Sequence, residues 1–301
     1  GPYILKTVRD PFFFELTRNP EYFDKGRPNL DVVRMQVIED DITRAAALRT
    51  SQIDVAVRVP PSAYETVKAN PSLNWDVEAV PWATQIIFQV NRKPWNDVRV
   101  RRAVHLAVDR DDVVKGAHEG AGVISGPLAP FVYKWAAIPP EELRTMPGYR
   151  QPKDADIAEA KRLMAEAGQA AGFEVTMPVS EWAALVNLRP PEVIRGHLAK
   201  IGIRVNFRKL EQAAYIRAER EGDFEIMSRA IFTDLDPDAQ LASIYSKGGS
   251  RNPVGLSDPK LEDLLAKGRR ALDREERKKI YREAQLYIME QAYRVYMDEP
   301  F

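Results

Sequence analysis

The feature that most constrains the fold is a regular alternation of helical and strand patterns between about residues 154 and 232. Some segments repeat apolar residues every three or four positions, as amphipathic helices do, and shorter ones are apolar or alternating, as strands are. In chain order they are helix DADIAEAKRLMAEAG, strand GFEVTMPV, helix PEVIRGHLAKIG, strand IRVNF, helix EQAAYIRAEREG and strand FEIMSRAIF. A helix between successive strands predicts an α/β lobe with a sheet of its own.

The first ninety residues predict a different region, centred on a mixed sheet. YILKTV and FFFELTRN indicate a hairpin around Asp10 and Pro11, and residues 31–39 alternate as a strand. Further predictions here are a helix at ITRAAALRTSQI, a strand at DVAVRV, a short helix near SAYETVKAN, and strands at NWDVEAV and ATQIIFQVN. Two helical segments, SDPKLEDLLAKGRRALD and DREERKKIYREAQLYIMEQA, close the chain.

A cluster of arginines lies at the start of the second region, in DVRVRRAVHLAVDRDDVV (residues 97–114). Asp97 is predicted to cap a helix, and the arginines fall mostly off its apolar stripe. Four aspartates balance the four arginines in this stretch, so we interpret them as a solvated, self-paired helix face. The whole chain has 44 basic and 44 acidic residues. This balance does not favour nucleic acid as a partner.

Motifs that would indicate catalysis or a resident metal are absent from the sequence. The chain has no cysteine, and its histidines, His105, His118 and His197, are far apart. GAGVISG (residues 120–126) lacks the strand-to-helix context of a dinucleotide-binding loop, and no serine occupies a G-x-S-x-G turn. The sequence therefore predicts a protein that is not an enzyme and that carries neither a metal nor a cofactor.

The densest acidic cluster is TDLDPDAQ (residues 233–240), directly after an apolar strand. We interpret Asp236 and Asp238 as helix-capping residues, since their carboxylates can accept free backbone N–H groups and Pro237 suits a first helical turn. Capping explains Asp234 less well. A carboxylate at the mouth of a cleft is the alternative interpretation, because ligand sites of α/β sheets lie beyond strand ends.

A series of short segments, in order along nearly the whole chain, resembles the family 5 solute-binding proteins of ABC transporters. This group includes dipeptide, oligopeptide, nickel and oligosaccharide receptors. The segments are GPY at the start, RNPEYF, RMQVIEDDITRAAALRTSQID, NRKPWNDVRVRRAVHLAVDRDDVV, AGVISGPLAP, DIAEAKRLMAEAG, HLAKIGIRV, GDFEI and DLDP. The resemblance implies an α/β, two-lobed fold of the periplasmic-binding-protein type (type II, cluster C) with an incomplete first lobe.

The resemblance also implies a function and a set of partners. Such receptors capture a small-molecule or peptide solute between two lobes by hinge closure and hand it to an ABC permease in the membrane. A periplasmic or extracellular, membrane-associated location follows from the family alone. Peptide, opine, sugar and metal chelate all remain open as ligands.

Five residues are carried over as ligand-binding candidates. In peptide-binding members, a carboxylate on the loop after the strand matching FEIMSRAIF pairs with the ligand's amino group. Counting forward from the start of that strand places it at Asp234, whereas counting back from the DP pair places it at Thr233. The tryptophan usual at that strand end in the family is replaced here by Ile231 or Phe232. Asn91 matches the asparagine at which the chain leaves the first lobe, and Trp82 precedes it, with ordinary core packing as the alternative for Trp82.

Compared with the family, the chain is expected to be a partial receptor. Family members carry a long segment before the GPY motif and a further segment that returns to the first lobe. We therefore expect residues 1–90 to form a partial lobe one and residues 91–301 to form lobe two with C-terminal helices. The alternative is a structural or interaction module that keeps the lobe-two fold without a working pocket.

Overall fold

The computed structural model describes residues 1–9, 12–57, 59–76, 81–180 and 189–300. The chain divides into two compact units, Gly1–Asp76 (unit 1) and Val77–Phe301 (unit 2). Each unit is described separately.

Unit 1 is built on an antiparallel sheet with strand order β1-β2-β3. Its elements are β1 (Tyr3–Arg9), β2 (Phe13–Arg18), β3 (Val32–Gln36), α1 (Asp41–Arg49), a 3₁₀ turn (Pro61–Ala63) and α2 (Tyr64–Lys68). The predicted hairpin is confirmed, and its turn at Asp10 and Pro11 lies outside the described residues. Asp40 begins α1 by accepting a hydrogen bond from the Thr43 N–H at 2.7 Å, which satisfies one of the free donors at the helix start.

The apolar side chains of this sheet remain largely exposed. Phe14 lies opposite Met35 and Leu16 opposite Val33, so these residues share one face. Met35 is nevertheless 56% exposed. The described apolar residues that are buried in unit 1 are Ala45, Ala47, Leu48 and Val67. Unit 1 therefore has a small core of its own.

Two predicted strands of unit 1 are wrong where the structure describes them. Residues 54–57 and 59 of DVAVRV form no strand, and Arg58 lies outside the described residues. Val55 and Val57 are both 76% exposed, so the alternation there marks no buried face, and β-propensity without burial does not hold a strand. Residues 74–76 of NWDVEAV also form no strand, and residues 77–80 lie outside the described part.

Unit 2 confirms the predicted alternation of helices and strands. Its first elements are β4 (Trp82–Phe88), α3 (Val98–Ala107), α4 (Arg110–His118), β5 (Gly122–Ile124), α5 (Pro140–Leu143), α6 (Asp154–Glu166), β6 (Phe173–Ser180) and α7 (Arg189–Ala199). The remaining elements are β7 (Ile203–Leu210), α8 (Gln212–Glu221), β8 (Ile226–Phe232), α9 (Pro237–Tyr245), α10 (Pro259–Arg270), α11 (Arg274–Gln291), β9 (Arg294–Tyr296) and β10 (Asp298–Pro300). The closing strands β9 and β10 were not predicted from the sequence.

The sheets of unit 2 are small, and β4 is the central strand of one of them. An antiparallel sheet has the order β8-β4-β9, β6 and β7 pair in parallel, and β10 pairs with β5. Strand β4 is buried along its length beyond the half-buried Trp82. From the sequence, this strand is expected within the region of residues 1–90. In the structure, the compact units divide after Asp76, and β4 belongs to unit 2 because it pairs with β8 and β9. The lobe boundary near residue 90 stays a prediction.

The arginines of the 97–114 stretch correct the interpretation of a solvated helix face. Asp97 caps α3 as predicted and pairs with the partly exposed Arg99. Arg101 is instead buried, and it donates to the carbonyl oxygens of Trp95 at 2.7 Å and Gln291 at 3.0 Å. Counting charges could not reveal this burial, because these arginines bond to carbonyl oxygens of distant segments.

Arg110 is the most completely enclosed of these arginines. It is 2% exposed, and its guanidinium donates to the carbonyl oxygens of Tyr296, Val108, His105 and Gly148. The guanidinium carbon also lies 3.9 Å from the centre of the Tyr149 ring. Arg110 therefore joins the start of α4 to strand β9.

We predict that Arg110→Leu strongly destabilises the protein. The free energy of unfolding should fall by about 3 kcal/mol or more, because several buried acceptors lose their donor at once. Urea unfolding followed by tryptophan fluorescence measures the loss. Arg102→Leu is the control, since Arg102 is exposed on the neighbouring helix α3 and should change stability by less than about 0.5 kcal/mol. Equal losses in the two variants would contradict the role of Arg110.

Strand β10 carries two fully buried carboxylates. Asp298 accepts from the Thr84 hydroxyl and lies 2.8 Å from the His118 Nε2. Glu299 accepts the Phe131 N–H at 2.9 Å. Burial raises the pKa of Glu299 from 4.5 to about 7, because the ionised carboxylate is poorly solvated there.

We predict that Glu299 makes stability fall as the pH rises from about 4.5 to about 7. Its pKa is higher in the folded than in the unfolded chain, so across this window folding requires a proton that the unfolded chain has released. The slope should be at most about 1.4 kcal/mol per pH unit.

Glu299→Gln, which keeps an acceptor for the Phe131 N–H, should remove this part of the slope. Glu290→Gln, at an exposed position of α11, should leave it in place. The measurement is urea unfolding at several pH values between 4 and 8. Parallel profiles for wild type and Glu299→Gln would refute the assignment.

Candidate functional site

A cleft of about 260 Å³, lined by both polar and apolar residues, lies within unit 2. Strands β4, β6 and β8 and helices α7 and α8 supply its lining. The antiparallel pairing of β4 with β8 sets Thr84 opposite Ala230, and Ser228 follows two residues away on the same face. Thr84 and Ser228 therefore lie on one face of the strand pair, where the Thr84 hydroxyl donates to the buried Asp298 carboxylate.

Helix α8 forms a second wall of the cleft. The Tyr215 hydroxyl donates to the Ser228 carbonyl oxygen at 3.1 Å, and this bond ties the helix to β8. At the first turn of α8, Gln212 accepts from the Ser180 hydroxyl at 2.5 Å. These side chains can offer both donors and acceptors to a solute.

A charged pair lies at the cleft as well. Arg229 of β8 and Glu219 of α8 form an ion pair, and their side chains are 24% and 16% exposed. Burial lowers the pKa of Arg229 to about 10, and the nearby positive charges of Arg294 and Arg251 act in the same direction. The electrostatic interaction with Tyr215 acts in the opposite direction and raises the pKa of Arg229. Arg229 therefore stays positive at neutral pH.

Four of the five predicted site residues meet at the end of β4 and β8. Trp82 lies opposite Phe232, and their ring centres are 5.7 Å apart. Thr233 follows, and both its N–H and its hydroxyl donate to the Pro81 carbonyl oxygen, at 2.7 and 3.0 Å. Asp234 comes next in the chain. The structure thus gathers these positions around one strand end.

Asn91 does not join this group. It lies beyond the opposite end of β4, and its side-chain amide donates to the Val254 carbonyl oxygen at 2.5 Å. A strand of this length separates its ends by about 20 Å. Asn91 therefore anchors a different part of unit 2.

Asp234 is engaged by other residues of unit 2. Its carboxylate pairs with Arg251 at 3.1 Å, and Arg251 also donates to the Phe232 carbonyl oxygen and to Gln240 Oε1. The Asp234 N–H donates to Gln240 Oε1 at 3.0 Å, and its carbonyl oxygen accepts from the Tyr133 hydroxyl. Arg251 thus neutralises the carboxylate that the sequence analysis assigned to an amine.

The other two acids of this loop have separate roles. Asp236 caps α9 as predicted, by accepting from the Asp238 N–H at 2.8 Å, with Pro237 in the first turn. Asp238 was also interpreted as a cap, but its carboxylate pairs with Arg269 of α10 at 2.8 Å. The tertiary packing of α10 beside α9 decided this difference.

Sequence reasoning missed Arg229, Glu219 and Arg251. One signal was available, because Arg229 interrupts the apolar run FEIMSRAIF and a charge in a buried strand requires a partner. Arg251 gave no such signal, since it lies in the irregular segment after α9.

The histidines lie in separate surroundings. His105 is beside Arg110, His118 beside Asp298 and His197 beside Asp112. Within the described ranges, no three or more His, Asp or Glu side chains are grouped so as to hold a metal ion. In the same ranges, no helix has the length and apolar character needed to cross a bilayer.

Comparison with known proteins identifies consistent relatives. A family described as "Bacterial extracellular solute-binding proteins, family 5 Middle" matches residues 1–252. Heme-binding protein A of Haemophilus influenzae is 26% identical over 97% of this chain and 52% of its own length.

Two solved structures share the fold over the whole chain. Periplasmic binding protein DppA from Helicobacter pylori, in complex with the peptide STSA, has a TM-score of 0.82 at 27% identity and is covered over 57% of its length. AgaA from A. tumefaciens R10, in complex with agropinic acid, has a TM-score of 0.77 at 25% identity and is covered over 60%. The chain thus spans about half the length of the curated relatives it matches.

We predict that Asp234 and Arg251 are energetically coupled. Arg251→Gln should lower the free energy of unfolding by about 1–2 kcal/mol, because it removes hydrogen bonds to Phe232 and Gln240 together with a partly exposed ion pair. A double-mutant cycle with Asp234→Asn isolates the pair, whose coupling should be at most about 1 kcal/mol. Arg269→Gln is the control, since it removes the nearby ion pair between Asp238 of α9 and the exposed Arg269 of α10. Purely additive effects of the Asp234 and Arg251 substitutions would exclude the coupling.

Proposed function

Because the chain belongs to the family 5 bacterial extracellular solute-binding proteins, we propose that it acts as the solute-binding component of an ABC import system. It captures a small solute by closure of the two-lobed fold and passes the solute to a membrane permease. The observation that carries the proposal is the cleft of unit 2, whose lining includes hydroxyl, amide and charged groups, in a chain whose family match covers residues 1–252. The proposed location is periplasmic or extracellular, at the membrane that holds the permease.

The cleft favours binding over a purely structural role. About 260 Å³ of open space is lined by hydroxyl, amide and charged groups beside apolar residues, a combination that is typical of small-molecule sites. Family 5 members are binding proteins, and we propose that this chain likewise releases its solute unchanged. Residues 1–90 and 91–301 are the proposed lobes.

The fold itself leaves the ligand class open. The relatives named above are described with heme, a peptide and agropinic acid, although they share one fold. The ligand of this chain therefore depends on its own cleft residues.

We predict that the protein binds a small solute with one-to-one stoichiometry at this cleft. The purified chain is incubated with a small-molecule filtrate of yeast extract and weighed by native mass spectrometry, before and after denaturation. The expected result is an adduct that is lost on unfolding. A bare chain in every sample would overturn the proposal.

A matched pair of variants locates the site. Ile216→Trp enlarges a residue of the cleft wall that is 37% exposed and should abolish the adduct, because the indole fills the cleft. Leu286→Trp enlarges a residue of α11 with nearly the same exposure, 38%, outside the cleft, and should keep the adduct. Loss of the adduct in both variants, or in neither, would place binding elsewhere.

A further inference from the structure

The charges at the unit 2 cleft are balanced. The charged residues among the described part of its lining are Arg229 and Glu219, and these two form an ion pair with each other. Asp298 lies behind the lining residue Thr84, where it accepts from the Thr84 hydroxyl and lies 2.8 Å from the His118 Nε2. Each of these charged groups in the described residues therefore already has a partner inside the protein.

A charged solute meets an obstacle at this cleft. The side chains of Arg229 and Glu219 are only 24% and 16% exposed. A solute with a net charge would have to separate them or lose its own hydration beside a neutral pair. A zwitterion would have to replace each member of the pair with one of its own charges. An unpaired or poorly solvated charge costs free energy in a partly buried region, whereas an uncharged solute leaves the pair intact.

The positions that the family resemblance assigns to a ligand amino group are engaged as well. The Asp234 carboxylate is paired with Arg251, and Thr233 donates through two groups to the Pro81 carbonyl oxygen. An incoming amine would have to displace a guanidinium from Asp234. Neither assigned position is therefore free for an ammonium group.

Neutral hydrogen-bond donors of the lining remain available. Gln212 uses its side-chain oxygen to accept from the Ser180 hydroxyl, and Ser228 uses its carbonyl oxygen to accept from Tyr215. Within the part of the chain that the structure describes, the Ser228 hydroxyl and the Gln212 side-chain N–H groups have no hydrogen-bond partner. Both residues line the cleft, so both can donate to a solute there.

The lining also supplies neutral acceptors and an apolar wall. The hydroxyl groups of Ser180 and Tyr215 donate to other groups of unit 2, and each oxygen keeps lone pairs that can accept. Burial raises the pKa of Tyr215, so its hydroxyl is uncharged at neutral pH. Pro190, Pro191 and Ile216 offer apolar surface beside these groups. The cleft thus combines neutral donors and acceptors with contacts for a carbon skeleton.

We propose that the unit 2 cleft selects a small uncharged solute that carries several hydroxyl or amide groups. Ser228 and Gln212 donate to its oxygen atoms, and the ion pair of the lining stays closed while the solute is bound. Hydroxyl and amide groups match the lining because they both donate and accept. This inference rests on the proposed solute-binding function and names the ligand class of the same cleft. Ser228 and Gln212 are then residues that determine specificity.

The test uses the full 301-residue chain and solutes sorted by charge. The yeast-extract filtrate is passed over a cation exchanger in the proton form and then an anion exchanger in the hydroxide form, which together retain cations, anions and zwitterions. The ion-free fraction and the neutralised eluate of the two exchangers are each titrated against the protein by native mass spectrometry. The ion-free fraction should give the adduct. The exact mass of the solute released on unfolding distinguishes its groups, because an amide contains nitrogen and a polyol does not.

Variants connect the adduct to the two donors. Ser228→Ala should raise the amount of ion-free fraction needed for half-saturation about threefold to tenfold, since one hydrogen bond between neutral groups is lost. Ser243→Ala is the matched control, because Ser243 is half-buried on α9 outside the cleft, and it should change nothing. Gln212→Glu keeps the oxygen that accepts from Ser180 but removes the amide donors, so it should weaken binding at least as much. Gln212 lies at a partly exposed position, which keeps the test decisive if Ser228→Ala fails to fold.

The outcomes separate the two proposals. An adduct that forms from the ionic eluate overturns the inference of an uncharged solute and leaves solute binding intact. An adduct from the ion-free fraction that responds to neither Ser228→Ala nor Gln212→Glu overturns it too. No adduct from either fraction with folded protein overturns the proposed function itself.

Discussion

The pairing of β4 with β8 is the interaction on which the rest of unit 2 depends. It fixes which side chains of both strands share a face, since successive residues of a strand point to opposite sides. Thr84 and Ala230 thereby line the cleft, while Trp82 and Phe232 meet at the strand end. A shift of one residue in this register would move Ser228 and Ala230 to the face of the sheet that now carries Arg229.

Buried arginines tie the remaining elements to this sheet. Arg110 and Arg294 each bind main-chain carbonyl oxygens of segments that are distant in sequence. Burying a guanidinium is costly unless its donors are satisfied, so each arginine admits few alternative arrangements of the chain around it. Arg229 also lines the cleft, where its charge is paired with that of Glu219 in a partly buried region.

Local sequence patterns predicted helices and strands correctly where the periodic apolar residues are also buried in the structure. The alternation from α6 to β8 was read correctly because apolar spacing and glycine stops pointed to the same boundaries. The predicted strand DVAVRV was wrong because Val55 and Val57 are exposed and pack against no core. Asp236 was found as a cap, since capping is a contact within a few residues, whereas the partner of Asp238 comes from another helix.

By itself, the sequence determined the α/β class, the order of the main helices and strands, the balanced charge and the family resemblance. These properties depend on local spacing and on the order of short segments along the chain. Only the tertiary structure decided that Arg251 neutralises Asp234, that Asn91 lies away from the other candidates and that Arg229 lines the cleft. The physical reason is that ion pairs and clefts join residues far apart in sequence, and no periodicity records which distant groups fold together.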